Sequence, residues 1–161
     1  MSQLSKIALG GGCHWCTEAV FQSLKGVEKV EQGFVASEGE HTSFSEAIIV
    51  HFYPKDISLQ QLIEVHLVTH KSSSNHSMRY KYRSAIYTFH RLQKQEANRT
   101  LTGFKKQNSK IITQVLAFRE FEPSREQIQN YYLKDPQKPF CERYISPKLE
   151  SLEKNFKHLL H

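Results

Sequence analysis

The sequence predicts an α+β fold, a two-layer sandwich in which helices pack against a mixed sheet. Short apolar runs and segments with helical spacing follow one another as strand, helix, strand, strand, helix, strand, helix, strand, helix. Two strands follow each other without a helix, which favours a ferredoxin-like plait over a strictly alternating parallel fold. The 161 residues, 39% hydrophobic and 24% charged, suffice for one domain spanning residues 1–161.

The elements of the first half are defined by apolar patterns between glycine and proline. Residues 6–9 form a short apolar run typical of a buried strand, and helical spacing follows until Gly26. Strands are predicted at 27–36 and 44–53, with a polar turn at 37–42 between them and Pro54 at the end. Ser58 is a candidate cap for the next helix, whose apolar face contains Leu62, Ile63, Val65, Leu67 and Val68.

The second half begins with a polar, irregular segment at 71–81. Strands are predicted at 84–89 and 111–118, and helices at 91–106 and 124–133, the latter opened by Ser124. Residues 134–139 hold two prolines and predict the start of a long C-terminal coil. Ser146 and Pro147 then fit the start of a terminal helix.

Charge and cysteine content argue against several classes of protein. The net charge is +6, but basic residues are scattered in runs no longer than two, which disfavours a nucleic-acid binder. No apolar stretch is long enough for a membrane span, and residues 1–6 lack the pattern of a signal peptide. Three cysteines are an odd number, which favours a reducing compartment over a disulfide framework. We therefore expect a cytoplasmic protein, most simply a monomer.

A Cys-x-x-Cys motif follows three glycines, in Gly10-Gly11-Gly12-Cys13-His14-Trp15-Cys16. Cys13 falls at the predicted helix N-terminus, where free N–H groups and the helix dipole favour a thiolate. Cys16 is a candidate resolving thiol, but it also fits a buried core residue or one metal ligand. The metal alternative is weak because the chain has no second Cys-x-x-Cys and no His-Glu-x-x-His, so we expect no metal site.

Further candidates lie elsewhere in the chain. Glu46 stands in a strongly apolar strand, where a carboxyl holds its proton more tightly and suits a general acid, although it also fits a solvent-facing position. Cys141 lies in the predicted coil, from which it would swing toward another thiol. Trp15, the only tryptophan, fits either the core or a pocket wall, and Tyr82 has the position of a packed strand-edge tyrosine.

Taken together, these residues resemble the methionine sulfoxide reductase A family over most of the chain. The resemblance rests on Gly12-Cys13-His14-Trp15-Cys16-Thr17-Glu18, Ser45-Glu46-Ala47, Tyr82-Arg83-Ser84-Ala85-Ile86-Tyr87, Asn130-Tyr131-Tyr132, Pro139-Phe140-Cys141 and Pro147-Lys148-Leu149.

The resemblance implies reduction of methionine-S-sulfoxide, free or in proteins, to methionine. Cys13 would attack the sulfoxide sulfur, Glu46 would give a proton to the oxygen, and Tyr82 would hydrogen-bond that oxygen. Trp15, with His14 at the family's phenylalanine position, would form the pocket for the substrate methyl group.

Turnover would leave a sulfenic acid on Cys13, which Cys141 or Cys16 would resolve to a disulfide. The resemblance implies that thioredoxin then reduces this disulfide, without a bound cofactor. Cys141 is preferred as the resolving thiol because a mobile segment reaches Cys13 without unwinding a helix.

Two alternatives remain at the sequence level. One is a general thiol–disulfide oxidoreductase that uses Cys13 and Cys16 as its redox pair. The other is a family member that binds oxidised peptides without turnover, because the family's aspartate position falls on Ser77 and one oxygen-binding tyrosine has no counterpart.

Overall fold

The fold is taken from a computed structural model that describes residues 3–70, 72–74, 79 and 81–161. These residues form six strands, β1 to β6, and five α-helices, α1 to α5. In chain order they are β1 (Ser5–Gly10), α1 (His14–Gln22), β2 (Val27–Ala36), β3 (Ser45–Phe52), α2 (Leu59–Thr69), β4 (Ala85–Thr88), α3 (Arg91–Gln107), β5 (Gln114–Ala117), β6 (Glu120–Pro123), α4 (Tyr131–Lys134) and α5 (Ser146–Phe156).

The strands form one mixed sheet in the order β5-β4-β1-β3-β2-β6, which confirms the predicted α+β class. Only β4 and β5 pair in parallel among the described strands; the other neighbours are antiparallel. In the central pair, Leu9 lies opposite Ile48 and Gly10 opposite Ala47. The end of β1 and the start of β3 therefore lie side by side. Cys13 comes three residues after the end of β1, and Glu46 is the second residue of β3, so the pairing brings the candidate thiol and carboxyl to the same edge of the sheet.

Both faces of the sheet are apolar, which explains the nearly continuous apolar runs of β1 and β3. Side chains alternate between faces with the two-residue period of a strand. The larger cluster contains Ile7, Leu9, Ile48 and Val50, all fully buried beneath residues of α1 and α2. The opposite face carries a smaller cluster built from Ala8, Val35, Ala47, Ile49, Ala85 and Tyr87.

Three predicted helices agree closely with the structure. The helix that begins after the glycines is α1, and its last residue lies before Gly26, as expected. Ser58 caps α2 through a reciprocal capping box with Gln61, whose backbone N–H lies 3.0 Å from the Ser58 hydroxyl. The polar segment at 91–106 forms α3, which buries Ala97 and Leu101.

The predicted helix at 124–133 is wrong. The backbone N–H of Ser124 donates to the carbonyl of Gln32, so Ser124 extends the contact of β6 with β2 and does not open a helix. Only a 3₁₀ turn (Glu126–Ile128) and the short α4 follow, separated at Asn130 by a left-handed backbone with φ of 56°.

The predicted long coil before the terminal helix is also wrong in part. Cys141–Ile145 form a π-helical turn that continues directly into α5. Pro147 lies in the first turn of α5, as predicted, but Ser146 is already helical and does not act as a side-chain cap. Within the described part of the chain, no helix combines the length and apolarity needed to cross a lipid bilayer.

Candidate active site

Gly11 and Gly12, which we call the glycine loop, connect β1 to α1 and place Cys13 at the first turn of that helix. Cys13 is the N-cap, and its carbonyl accepts the backbone N–H groups of Cys16 and Thr17, each at 3.1 Å. Gly11 has a φ of +154°, and a Cβ there would lie 2.5 Å from the His70 ring. The close approach of His70 thus requires glycine at position 11, two residues before the nucleophile candidate.

Cys13 and Cys16 form an interacting pair of thiols. Hydrogen bonding between them raises the pKa of Cys13, with burial as the second cause, and lowers the pKa of Cys16. Two interacting thiols lose their protons in successive steps, so the first is lost more readily and the second less. The first proton lost therefore belongs to the pair, and the free N–H groups at the start of α1 stabilise the thiolate that forms there.

Cys141 lies behind this pair. It is fully buried in a cluster with Cys16, Ala19 and Ile145, against which Cys13 packs. Burial raises the pKa of Cys141. The expectation of a thiol on a mobile coil is therefore not met: Cys141 begins the π-helical turn and contacts the face of α1 that carries Cys16.

The Glu46 carboxyl reaches the same helix end from the start of β3. It is 6% exposed, and its Oε1 accepts the backbone N–H of His14 at 3.2 Å. The His14 Nε2 lies 3.4 Å from the same oxygen, and the Lys81 Nζ lies 3.5 Å from Oε2. The solvent-facing alternative for Glu46 is thus excluded, and the carboxyl faces the thiol pair, with which it interacts electrostatically.

His14 closes the inner side of the site. Its Nδ1 lies 2.9 Å from the carbonyl of Gly33, and its ring meets Phe34 edge-on with centroids 5.2 Å apart. Burial lowers the pKa of His14, so the ring is neutral near pH 7. A carbonyl accepts, which assigns the ring proton to Nδ1 and leaves Nε2 toward Glu46 as an acceptor.

Trp15 forms an aromatic wall on the outer side. It stacks on Tyr131 with centroids 4.3 Å apart and meets Phe140 edge-on at 5.1 Å. The Lys138 Nζ lies 4.5 Å from the centre of the Tyr131 ring. The sequence singled out Trp15, but its two aromatic partners were recognised only as family motif residues with no assigned role.

Tyr82 is half-buried, and its ring is connected to Glu46 through the side chain of Lys81. The Lys81 Nζ lies 5.2 Å from the centroid of the Tyr82 ring and also contacts Glu46. Sequence reasoning assigned no role to Lys81, which is distinguished only by its position beside Tyr82. Ser77, the residue at the family's aspartate position, lies outside the described residues.

A buried carboxylate connects α1 to the aromatic wall. Glu18, 1% exposed, accepts the backbone N–H groups of Asn130 at 2.9 Å and Tyr131 at 3.1 Å. Gln32 donates to it at 3.0 Å. Glu18 thereby fixes the start of α4 and with it the ring that stacks on Trp15; sequence reasoning noted it only as part of the motif.

Within the residues that the structure describes, no group of three or more His, Cys, Asp or Glu is arranged to hold a metal ion. All three cysteines are free thiols. The arrangement offers a thiol pair for nucleophilic and redox chemistry, a carboxyl for proton transfer and an aromatic wall for an apolar group.

Comparison with known proteins gives a consistent result. A family model described as peptide methionine sulfoxide reductase matches residues 5–160. The peptide methionine sulfoxide reductase MsrA of Acinetobacter baumannii (strain AYE) is 33% identical over 171 aligned residues, covering 98% of this chain and 99% of that protein.

Two solved structures support the fold. Methionine sulfoxide reductase A of Corynebacterium diphtheriae superposes with a TM-score of 0.74 at 22% identity, covering 84% of this chain and 76% of that one. Mxr1 from Saccharomyces cerevisiae in complex with Trx2 superposes with a TM-score of 0.65 at 20% identity, covering 80% of this chain and 85% of that one.

Proposed function

Because the chain belongs to the peptide methionine sulfoxide reductase family, we propose that Cys13 is its nucleophile and Glu46 the acid of its reaction. The enzyme reduces methionine sulfoxide to methionine, as a peptide-methionine (S)-S-oxide reductase, and repairs oxidised proteins. A general thiol–disulfide oxidoreductase and a family member without turnover are not favoured by the comparisons. The observation that carries the assignment is the pairing of two thiols and a carboxyl at one helix end.

The first step is attack on the substrate sulfur. The proton of Cys13 passes to Cys16 along the hydrogen bond between them, and the Cys13 sulfur attacks the sulfoxide sulfur. A bond forms between the two sulfurs, Glu46 gives its proton to the sulfoxide oxygen, and that oxygen leaves the substrate sulfur as hydroxide. The hydroxide attacks the Cys13 sulfur, the bond between the two sulfurs breaks, and methionine is released with Cys13 left as sulfenic acid. Tyr82 binds the oxygen, while Trp15 and His14 form the walls around the methyl group.

The second step forms a disulfide. Cys16 attacks the Cys13 sulfenic acid, and water leaves. Cys16 is the better first resolving thiol because it already contacts Cys13. Cys141 adjoins Cys16 and follows by exchange, which transfers the disulfide to the Cys16–Cys141 pair.

An external thiol then reduces this disulfide. We propose thioredoxin, since the structurally similar Mxr1 forms a complex with Trx2. Oxidised proteins and free methionine sulfoxide are the proposed substrates, with no nucleic-acid or membrane partner and no bound cofactor. Three free thiols support a reducing, cytoplasmic location.

The finer architecture is also a proposal. The order β4-β1-β3-β2, joined as β1-α1-β2 and β3-α2-β4, supports a ferredoxin-like plait extended by β5 and β6. The position of the main cluster between the sheet and the helices supports a two-layer sandwich. A family match over residues 5–160 supports one domain, which we propose is monomeric.

The proposed nucleophile is tested with methionine-S-sulfoxide and methionine-R-sulfoxide peptides in dithiothreitol. We expect the wild-type chain to reduce only the S epimer and Cys13→Ser to reduce neither. Exposed Ser151→Ala is a matched control on α5 and retains full activity. Reduction by Cys13→Ser at the wild-type rate would overturn the assignment of Cys13.

The order of the resolving thiols is tested separately by mass spectrometry after one turnover without reductant. We expect Cys141→Ser to accumulate a Cys13–Cys16 disulfide, and Cys16→Ser to accumulate Cys13 sulfenic acid, trapped with dimedone. A Cys13–Cys141 disulfide formed at the wild-type rate in Cys16→Ser would show that Cys141 resolves Cys13 directly.

A further inference from the structure

Lys81 is fixed beside the candidate acid by its backbone as well as its side chain. Its carbonyl accepts the backbone N–H of Glu46 at 3.0 Å and the hydroxyl of Ser45 at 2.9 Å. The Ser45 hydroxyl in turn accepts the backbone N–H of Arg83 at 2.7 Å. The segment around Lys81 is therefore attached to the first residues of β3, and its side chain starts from a defined point.

The Lys81 side chain lies between Glu46 and Tyr82. Its Nζ is 3.5 Å from Oε2 of Glu46 and 5.2 Å from the centre of the Tyr82 ring. Contact with Tyr82, followed by the charge of Glu46, raises the pKa of Lys81. The ammonium therefore stays charged throughout the range in which an enzyme of this kind works.

The other groups that face Glu46 are not permanent cations. In the described part of the chain these groups are the Cys13 and Cys16 thiols and the His14 ring, which is neutral near pH 7 because burial lowers its pKa. Among the residues that the structure describes, Lys81 is therefore the permanent positive charge paired with this carboxyl.

We propose that Lys81 is a positioning residue of the reductase, which contacts both Glu46 and Tyr82 and stabilises the carboxylate that Glu46 becomes on giving up its proton. The inference rests on the proposed role of Glu46 as the acid. The proton moves from the Glu46 carboxyl to the sulfoxide oxygen, so negative charge develops 3.5 Å from the Lys81 ammonium. Lys81 does not take part in bond making.

The charge of Lys81 has an expected effect on the pH profile of kcat/KM. A cation favours the charged form of a carboxyl, so its removal makes the acid retain its proton to higher pH. For Lys81→Met we expect the alkaline limb to move up by roughly half a pH unit, and kcat to fall about threefold with KM nearly unchanged. The effects are modest because the Lys81 side chain is 49% exposed and its charge is screened by solvent.

Two companion variants separate charge from shape. Lys81→Arg keeps the positive charge and is expected to keep the wild-type limb. Lys94→Met makes the same change on the exposed face of α3 and is expected to match wild type in every parameter. High salt screens an exposed pair, so about 1 M sodium chloride should move the wild-type limb toward that of Lys81→Met and leave Lys81→Met in place.

The experiment is a pH series of S-epimer reduction by these proteins at low and high salt. If the alkaline limb of the kcat/KM profile lies at the same pH in Lys81→Met as in wild type, the inference is overturned and the reductase assignment stays intact. An equal shift in Lys81→Arg would also overturn it, since the charge would then not be the cause. Failure of the wild-type protein to reduce the S epimer would instead overturn the proposed function.

Discussion

Single residues at the site serve two purposes each. His14 donates its backbone N–H to Glu46 and places its ring between that carboxyl and the carbonyl of Gly33. Cys16 is part of the core beneath α1 and also the partner of Cys13. A change at either residue therefore alters both the geometry of the site and its chemistry. A substitution of Glu46 tests the chemistry more directly.

At the residue scale we expect Glu46→Gln to lower kcat for S-epimer reduction about 10²- to 10⁴-fold, the range typical of a lost general acid. Glutamine keeps an oxygen that accepts the His14 backbone N–H, so the geometry of the site is kept while the proton donor is lost. The measurement is single-turnover reduction followed by chromatography of the peptide. Glu153→Gln, at an exposed position of α5, is the control, and an unimpaired Glu46→Gln protein would remove Glu46 from the mechanism.

At the scale of elements, Glu18 joins α1 to α4. Its two oxygens accept the N–H groups of Asn130 and Tyr131 together with the amide of Gln32. These bonds allow Asn130 to adopt its left-handed backbone, from which α4 begins. The aromatic wall thus depends on a side chain one turn along the same helix that carries the thiols.

We expect Glu18→Gln to destabilise the fold by about 1–3 kcal/mol, because the amide has one acceptor oxygen fewer for donors that remain buried. Urea unfolding measures this loss. Trp15 is the only tryptophan, so acrylamide quenching of its fluorescence should rise as Tyr131 loosens. Glu28→Gln, an exposed change on β2, should leave both signals unaltered; equal behaviour of the two variants would exclude the structural role of Glu18.

Elements with local signals were predictable, and elements made by pairing were not. Ser58 and Gln61 mark the start of α2, because their capping box forms between residues three positions apart and needs no residue from a distant part of the chain. β6 has no apolar run and exists because Phe121 lies opposite Val35 on β2, so sequence reasoning assigned its continuation to a helix. Pro139 suggested coil, yet proline is also tolerated in the first turn of a helix.

At the scale of the whole molecule, the site combines parts of different predictability. Cys13 and Cys16 lie on one helix, so their contact follows from spacing alone. Glu46 was predicted from one carboxylate in an apolar strand, and its position beside α1 follows from β1 pairing with β3. Lys81 was not predicted, because its contact with Glu46 depends on backbone pairing between distant segments that no local pattern reveals.

Buried histidines give the whole molecule a dependence on acid. His70 lies under Gly11, and its Nε2 is 2.8 Å from the hydroxyl of Ser84. Burial, together with the charges of Arg79 and Lys148, lowers the pKa of His70 from 6.5 to about 4, against a weaker opposing effect of its bond to His66. His66, fully buried, donates to the carbonyl of Gly10 at 2.7 Å and also has a lowered pKa.

We expect the free energy of unfolding to fall as pH drops from about 6.5 to about 4, because over this range His70 binds a proton in the unfolded chain but not in the folded chain. The His70 shift alone corresponds to on the order of 3 kcal/mol, fully present above pH 6.5 and lost by pH 4. Urea unfolding at a series of pH values should show a shallower slope for His70→Gln than for wild type. His158→Gln, an exposed change near the C-terminus, should follow wild type. Parallel curves for wild type and His70→Gln would mean that His70 titrates equally in both states, and the glycine loop before Cys13 would then not be held by a neutral ring.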